Sequence, residues 1–185
     1  MGVFIWTALE MESQMPETKR DIRKIASALG REDLPCFSLP LHLSLKISFS
    51  VPDGEAGAVR GAIRDIFAGF APFPVGILGA ERRGGLIWLR VKTSPELVSL
   101  HETLDRILSE RFGVPQTAYD RNFLFHVTLF QGLTGEEAAR TLGALEEAIL
   151  PVRPWAKTWL IGSSPDGVPG TYRIDLSGNL DASGI

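Results

Sequence analysis

The 185-residue chain predicts an α+β fold, duplicated and two-lobed, in which each lobe is a mainly antiparallel sheet with helices on its outer face and the lobes meet at a central cleft. Three observations lead there. Residues 41–49 alternate apolar and polar side chains with a period of two, the pattern of a half-buried strand. Residues 125–130 repeat its order of imidazole, spacer and hydroxyl, so that His42-Leu43-Ser44 is matched by His126-Val127-Thr128. The offset, 126 − 42 = 84 residues, also pairs Leu45 with Leu129, Ile77 with Ile161 and Trp88 with Tyr172. So long a period reads as a duplicated half-domain, because solenoid arrays stack three or more shorter units.

The elements follow in order. Residues 3–9 read as a buried strand and residues 10–16 as a polar connection. Ile22, Ile25, Ala26 and Leu29 recur at helical spacing over 18–29, and Gly30 stands where a helix stops. Pro35 and Pro40 bracket an extended approach to the 41–49 strand. Leu41, Leu43, Leu45, Ile47 and Phe49 are expected on its inner side, with His42, Ser44, Lys46 and Ser48 on the other. Pro52-Asp53-Gly54 ends the strand, and a helix to residue 70 carries Val59, Ile63, Ile66 and Phe67 inward before Pro72 and Pro74 stop it. Residues 73–80 and 86–91 read as a hairpin bent at Gly84-Gly85, with Arg82 and Arg83 at its tip.

Ser94-Pro95-Glu96 opens the next helix with a capping hydroxyl, a proline in the first turn and an acid beside it. It runs to residue 112 on Leu97, Leu100, Leu104, Ile107 and Leu108, ends at Gly113, and leads through a loop over 114–121 to the second alternating strand. Thr134 and Glu137 form a capping box for a further helix, which Pro151 and Pro154 end. A final hairpin is expected from 155–161 and 171–176, followed by a frayed tail over 179–185. Nothing reads as a linker, so residues 1–185 are expected to form a single bilobal domain with a pseudo-two-fold internal repeat.

Composition narrows the partners. An apolar content of 44% suffices for a sizeable core, and a net charge of −3 argues against binding nucleic acid mainly through counterion release. Cys36 is the single cysteine, which excludes an internal disulfide, a CxxC redox pair and a cysteine-based zinc site. The apolar start Met1-Gly2-Val3-Phe4-Ile5-Trp6 lacks a basic n-region and runs into Glu10 and Glu12, so it reads as a first strand and not as a signal peptide. No apolar run approaches the roughly 20 residues of a membrane span. A cytoplasmic protein without membrane attachment or an obligate protein partner is the expectation.

The paired tetrapeptides His42-Leu-Ser-Leu45 and His126-Val-Thr-Leu129 resemble the two signature motifs of the 2H phosphoesterase superfamily, which includes the 2′-5′ RNA ligase-like proteins and the RNA 2′,3′-cyclic phosphodiesterases. The resemblance spans most of the chain. It implies that His42 and His126 are the catalytic pair, that Ser44 and Thr128 bind phosphate, and that the chemistry needs no metal or other cofactor. Two departures stand out: Gln131 occupies a place where the RNA-end enzymes commonly carry Arg, and Lys46-Ile47-Ser48 replaces their usual Phe-Leu-Gly.

The residue types fit that chemistry. A neutral imidazole takes a proton from the nucleophile while a cationic one gives a proton to the leaving group. Hydroxyls between them suit the non-bridging oxygens of a phosphodiester. The expected activity is hydrolysis of a 2′,3′-cyclic phosphate or a related nucleotide or RNA-end phosphodiester. The alternatives are 2′-5′ RNA ligation by the reverse reaction and a non-catalytic nucleotide- or RNA-binding module. Lys46, Tyr119 and Tyr172 are further candidates for substrate contacts, as a cation and as stacking rings. His101 lies on the apolar stripe of a helix and is expected to be a satisfied core residue, and Cys36 a passive thiol.

Overall fold

A computed structural model describes residues 2–148, 152–168 and 170–181. Its main element is a seven-stranded antiparallel sheet of β1 (Gly2–Glu10), β2 (His42–Pro52), β4 (Gly76–Arg83), β5 (Leu86–Lys92), β6 (His126–Gln131), β8 (Thr158–Ser164) and β9 (Arg173–Asn179), in the order β4-β5-β6-β2-β1-β8-β9. Two short strands, β3 (Phe73–Pro74) and β7 (Trp155–Ala156), form a separate ribbon. The helices are α1 (Pro16–Leu29), α2 (Ala56–Phe67), α3 (Pro95–Phe112), α4 (Ala118–Arg121) and α5 (Gly135–Ala148).

Helix boundaries follow the local chemistry. Gly30 and Gly113 take φ of 65° and 64° after α1 and α3, a left-handed conformation that costs glycine nothing and lets its N–H cap the last turn. Ser94 Oγ accepts the Leu97 N–H at 3.3 Å, and the Thr134–Glu137 capping box forms as read. The polar faces expected to be plain loops are tighter: 114–121 contains α4, whose own capping box joins Thr117 and Asp120. The expected tail also starts later, because β9 continues to Asn179, and Leu180 is buried with its N–H 2.7 Å from the Lys157 carbonyl. Pro151 and residues 182–185 lie outside the described residues.

The two halves of the sheet meet at its centre. β5-β6 with β4 and β2-β1 with β8-β9 join through the single pair Leu43↔Val127, between the two motif strands. The hairpins are shared differently from the linear repeat: β1 stands beside β2 as β5 stands beside β6. Each hairpin after a motif strand then completes the half that holds the other motif, β4-β5 beside β6 and β8-β9 beside β1. Leu43, Leu45, Val127 and Leu129 turn to one face and enter one apolar cluster with Ile63 and Phe67 of α2 and Leu97, Leu100, Leu104 and Leu108 of α3. Alternation then sends His42, Ser44, His126 and Thr128 to the opposite face.

The alternation in β2 does not persist as expected. Register shifts between Ile5 and Thr7 and between Thr7 and Ala8 each place one more residue on β2 than on β1. Such bulges reverse the side-chain direction locally. Lys46 is accordingly 2% exposed and Ile47 37%, the reverse of the simple pattern, before the second shift returns Phe49 and Val51 to the interior.

One close approach on the motif face is needed for this packing. Gly162 of β8 is the strand partner of Trp6, and a Cβ at Gly162 would overlap both the Arg173 carbonyl oxygen and the Trp6 indole. Gly162→Ala is expected to destabilise the fold by about 1–3 kcal/mol, the range typical of overpacking. Thermal unfolding checks this; an unchanged melting temperature would show that the strands separate freely there.

Candidate active site

Register fixes the arrangement of the four motif side chains. Antiparallel pairing centred on Leu43↔Val127 sets His42 across from Thr128 and Ser44 across from His126, so each imidazole has a hydroxyl opposite and the other imidazole on the diagonal. Directly opposed Cβ atoms on such a pair lie about 5 Å apart and diagonal ones roughly 7–8 Å. That diagonal leaves a tetrahedral anion room between two ring nitrogens.

Both rings are held in the same way. His42 Nδ1 lies 2.8 Å from the Pro40 carbonyl oxygen, and His126 Nδ1 lies 2.7 Å from that of Leu124. A carbonyl has no proton to give, so each Nδ1 carries the hydrogen and each Nε2 is left for chemistry. Each ring also leans on a tryptophan: Trp6 of β1 at 5.3 Å from His42 and Trp88 of β5 at 4.5 Å from His126, between centroids. The two indoles pack on the histidines and lie outside the main apolar cluster.

Burial pushes the pKa of both imidazoles down from 6.5. The carbonyl contacts oppose this in each case, while the charge of His126 adds to the lowering at His42 and that of Arg83 to the lowering at His126.

The four residues line a cleft of about 860 Å³. Tyr119 and Tyr172 line it too, in different capacities. Tyr119 is 74% exposed and free to meet a ligand. Tyr172 is edge-on to Trp6, with its hydroxyl 2.9 Å from Ser48 Oγ and 3.2 Å from the Gly167 carbonyl oxygen, and so serves as a braced wall. Cys36 also borders the cleft, its thiol directed at the Leu129 carbonyl and its pKa raised by burial.

Lys46 departs from its expected role. Its ammonium is bound by Asp105 of α3, and by Asp120 of α4 at 3.1 Å, with 1% of the side chain exposed. The bulged backbone reverses its direction within β2, and although it still borders the cleft, two buried carboxylates take its charge. His101 is the core residue expected, 6% exposed, with Nδ1 2.7 Å from the Leu45 carbonyl oxygen and Nε2 2.9 Å from that of Asp120. Among the described residues no group of three or more His, Cys, Asp or Glu could hold a metal ion, and no helix is long and apolar enough to cross a membrane.

An antiparallel sheet with a His-x-Ser/Thr pair on each of its two central strands has the form of a two-histidine phosphoesterase. The chain belongs to the 2′-5′ RNA ligase superfamily, whose sequence profile matches residues 16–159. Two relatives carry provisional phosphoesterase names. The protein of Shouchella clausii is 27% identical over 119 residues, 63% of this chain and 67% of its own length. That of Bacillus pumilus is 28% identical over 131 residues, 69% and 73%. The fold is shared with Escherichia coli LigT complexed with 3′-AMP, with a TM-score of 0.59 and 17% identity over 97% of this chain and 99% of that one. TT0787 of Thermus thermophilus gives 0.62 and 14% over 97% and 99%.

Proposed function

We propose that the cleft hydrolyses a 2′,3′-cyclic phosphate, or a related nucleotide or RNA-end phosphodiester, by two-histidine general acid–base catalysis. The observation that carries this reading is the matched anchoring of His42 and His126, each with Nδ1–H committed to a carbonyl two residues before it and Nε2 left over, on one face of adjacent strands. One neutral imidazole takes a proton from water as its oxygen attacks phosphorus. The other, protonated, gives its proton to the ribose oxygen as the P–O bond breaks. Ser44 and Thr128 donate to the non-bridging oxygens, where charge accumulates. Two side chains of one kind supply both protons' worth of chemistry, and no step calls for a metal. The 3′-AMP held by E. coli LigT is a phosphate on a ribose hydroxyl, which is the kind of product this reaction leaves.

The test is incubation with nucleoside 2′,3′-cyclic phosphates in the presence of chelator, with products resolved as 2′- or 3′-monophosphates. The pH profile is the sharper readout. With both pKa values lowered by burial, the imidazolium needed as acid is less populated in the free protein near neutral pH than an ordinary histidine's would be. kcat/KM, which reports the free protein, should therefore fall as pH rises toward neutrality. kcat should hold to higher pH, because a bound phosphate anion favours the cation beside it. A kcat/KM that climbs steadily into the alkaline range would rule out a histidine acid.

A further inference from the structure

Few charged side chains stand in the cleft wall. Among its described lining residues only Lys46 and Arg83 are charged at neutral pH, and no carboxylate faces it. Lys46 is neutralised by Asp105 and Asp120. Arg83, at the end of β4, is different. Its side chain is 62% exposed, its guanidinium lies 5.1 Å from the ring centroid of Trp88, and Trp88 packs on His126. Its ion-pair partner, Glu81, is 3.5 Å away on the exposed hairpin, a contact of the kind that contributes little. The neighbouring Arg82 is used otherwise, donating to the Gly135 carbonyl at 3.1 Å.

The remaining wall carries uncharged polar side chains, Ser38, Ser48, Asn122 and Gln131, and a group of large apolar ones. Ile47, Leu124 and Tyr119 line the cleft with 37%, 48% and 74% exposure, large side chains without a core to cover. Such a patch beside a few polar groups is the usual surface for a flat organic moiety.

We propose that Arg83 is the residue by which this cleft selects its substrate's charge, admitting a phosphodiester with a single phosphoryl group on an uncharged, ring-bearing remainder, such as a cyclic mononucleotide, over substrates bearing further phosphates. This rests on the reading of the cleft as a phosphodiester site. A guanidinium presents a fork of donors that matches two phosphoryl oxygens. With one such fork, a pyrophosphate or a 5′-phosphate elsewhere on the ligand meets in the described wall only a second cation, Lys46, that two carboxylates already hold, and enters against a chain of net charge −3.

Titration calorimetry on the intact chain tests this without requiring turnover, using adenosine 3′-monophosphate, adenosine 3′,5′-bisphosphate and inorganic phosphate. The monophosphate is expected to bind at least as tightly as the bisphosphate. Arg83→Gln should weaken it on the order of tenfold, as loss of one charge-assisted hydrogen-bonded contact does, and should blunt its sensitivity to salt. Arg83→Lys should recover part of the loss. Tyr119→Ala should weaken the nucleotide roughly tenfold while leaving inorganic phosphate unchanged, as expected of a stacking contact. A bisphosphate bound tenfold more tightly, or an Arg83→Gln variant that binds like the parent, would overturn the assignment. Selective binding with no turnover of cyclic nucleotides would leave Arg83's role standing and remove the hydrolytic reading; failure of all three ligands to bind would remove both.

Discussion

His42→Ala and His126→Ala are each expected to lower kcat/KM for a 2′,3′-cyclic nucleotide by about 10²- to 10⁴-fold, the contribution of a positioned proton-transfer group. The reason is geometric. Each ring is fixed by its own carbonyl, 2.8 Å from His42 Nδ1 and 2.7 Å from His126 Nδ1, and neither stands where it could substitute for the other. Attack and departure occur on opposite sides of phosphorus, so the loss of either imidazole leaves one proton transfer uncatalysed. The double variant should therefore fall little below the worse single one, since residues acting as a unit are strongly non-additive. Ser44→Ala and Thr128→Val should lose less, because each removes one hydrogen bond to developing charge and leaves proton transfer intact. Measured rates that multiply in the double variant would indicate two independent sites. Ligand affinity that survives both histidine substitutions, in a parent with no turnover, would favour a binding module.

What could be read from the chain beforehand divides along local and non-local lines. Strands and helices with regular apolar spacing, the caps at Ser94 and Thr134, and the glycine stops at Gly30 and Gly113 depend on neighbours in sequence, and all were legible. The two motifs were legible because they recur with matching spacing, and alternation alone put each imidazole and hydroxyl on one face. The direction of Lys46 was not, since it depends on bulges set by how β2 registers with β1, a strand more than thirty residues earlier. The same holds for the tryptophans. Trp6 and Trp88 reach the histidines across strand pairs β1-β2 and β5-β6, and no pattern within either strand distinguishes such a ring from one in a core. Arg83 looked like any charged hairpin tip until β5 placed Trp88, and with it the guanidinium, against β6.

Lys46→Met should destabilise the protein by about 3–5 kcal/mol, the effect of removing one partner from a buried ion network. For a chain of this size that is a fall in melting temperature of roughly 6–20 °C. The substitution keeps most of the side-chain volume but strands Asp105 and Asp120, both at most 4% exposed, without their shared cation. Burial works to raise the Asp120 pKa, and the Thr117 N–H and hydroxyl together with Lys46 hold it below its ordinary value; Gln116 donates to Asp105 in the same way. These contacts secure α4 and the segment that enters the second motif strand, and His101 reinforces them by bridging the Leu45 and Asp120 carbonyls. The network thus ties the strand carrying His42 to the turn that leads to His126. Neutralising the carboxylates as well, in Lys46→Met with Asp105→Asn and Asp120→Asn, should recover much of the lost stability, because the cost lies in unpaired charge and not in lost volume. A lysine that bound phosphate would behave in the opposite manner: Lys46→Met would melt like the parent and show its defect in KM alone.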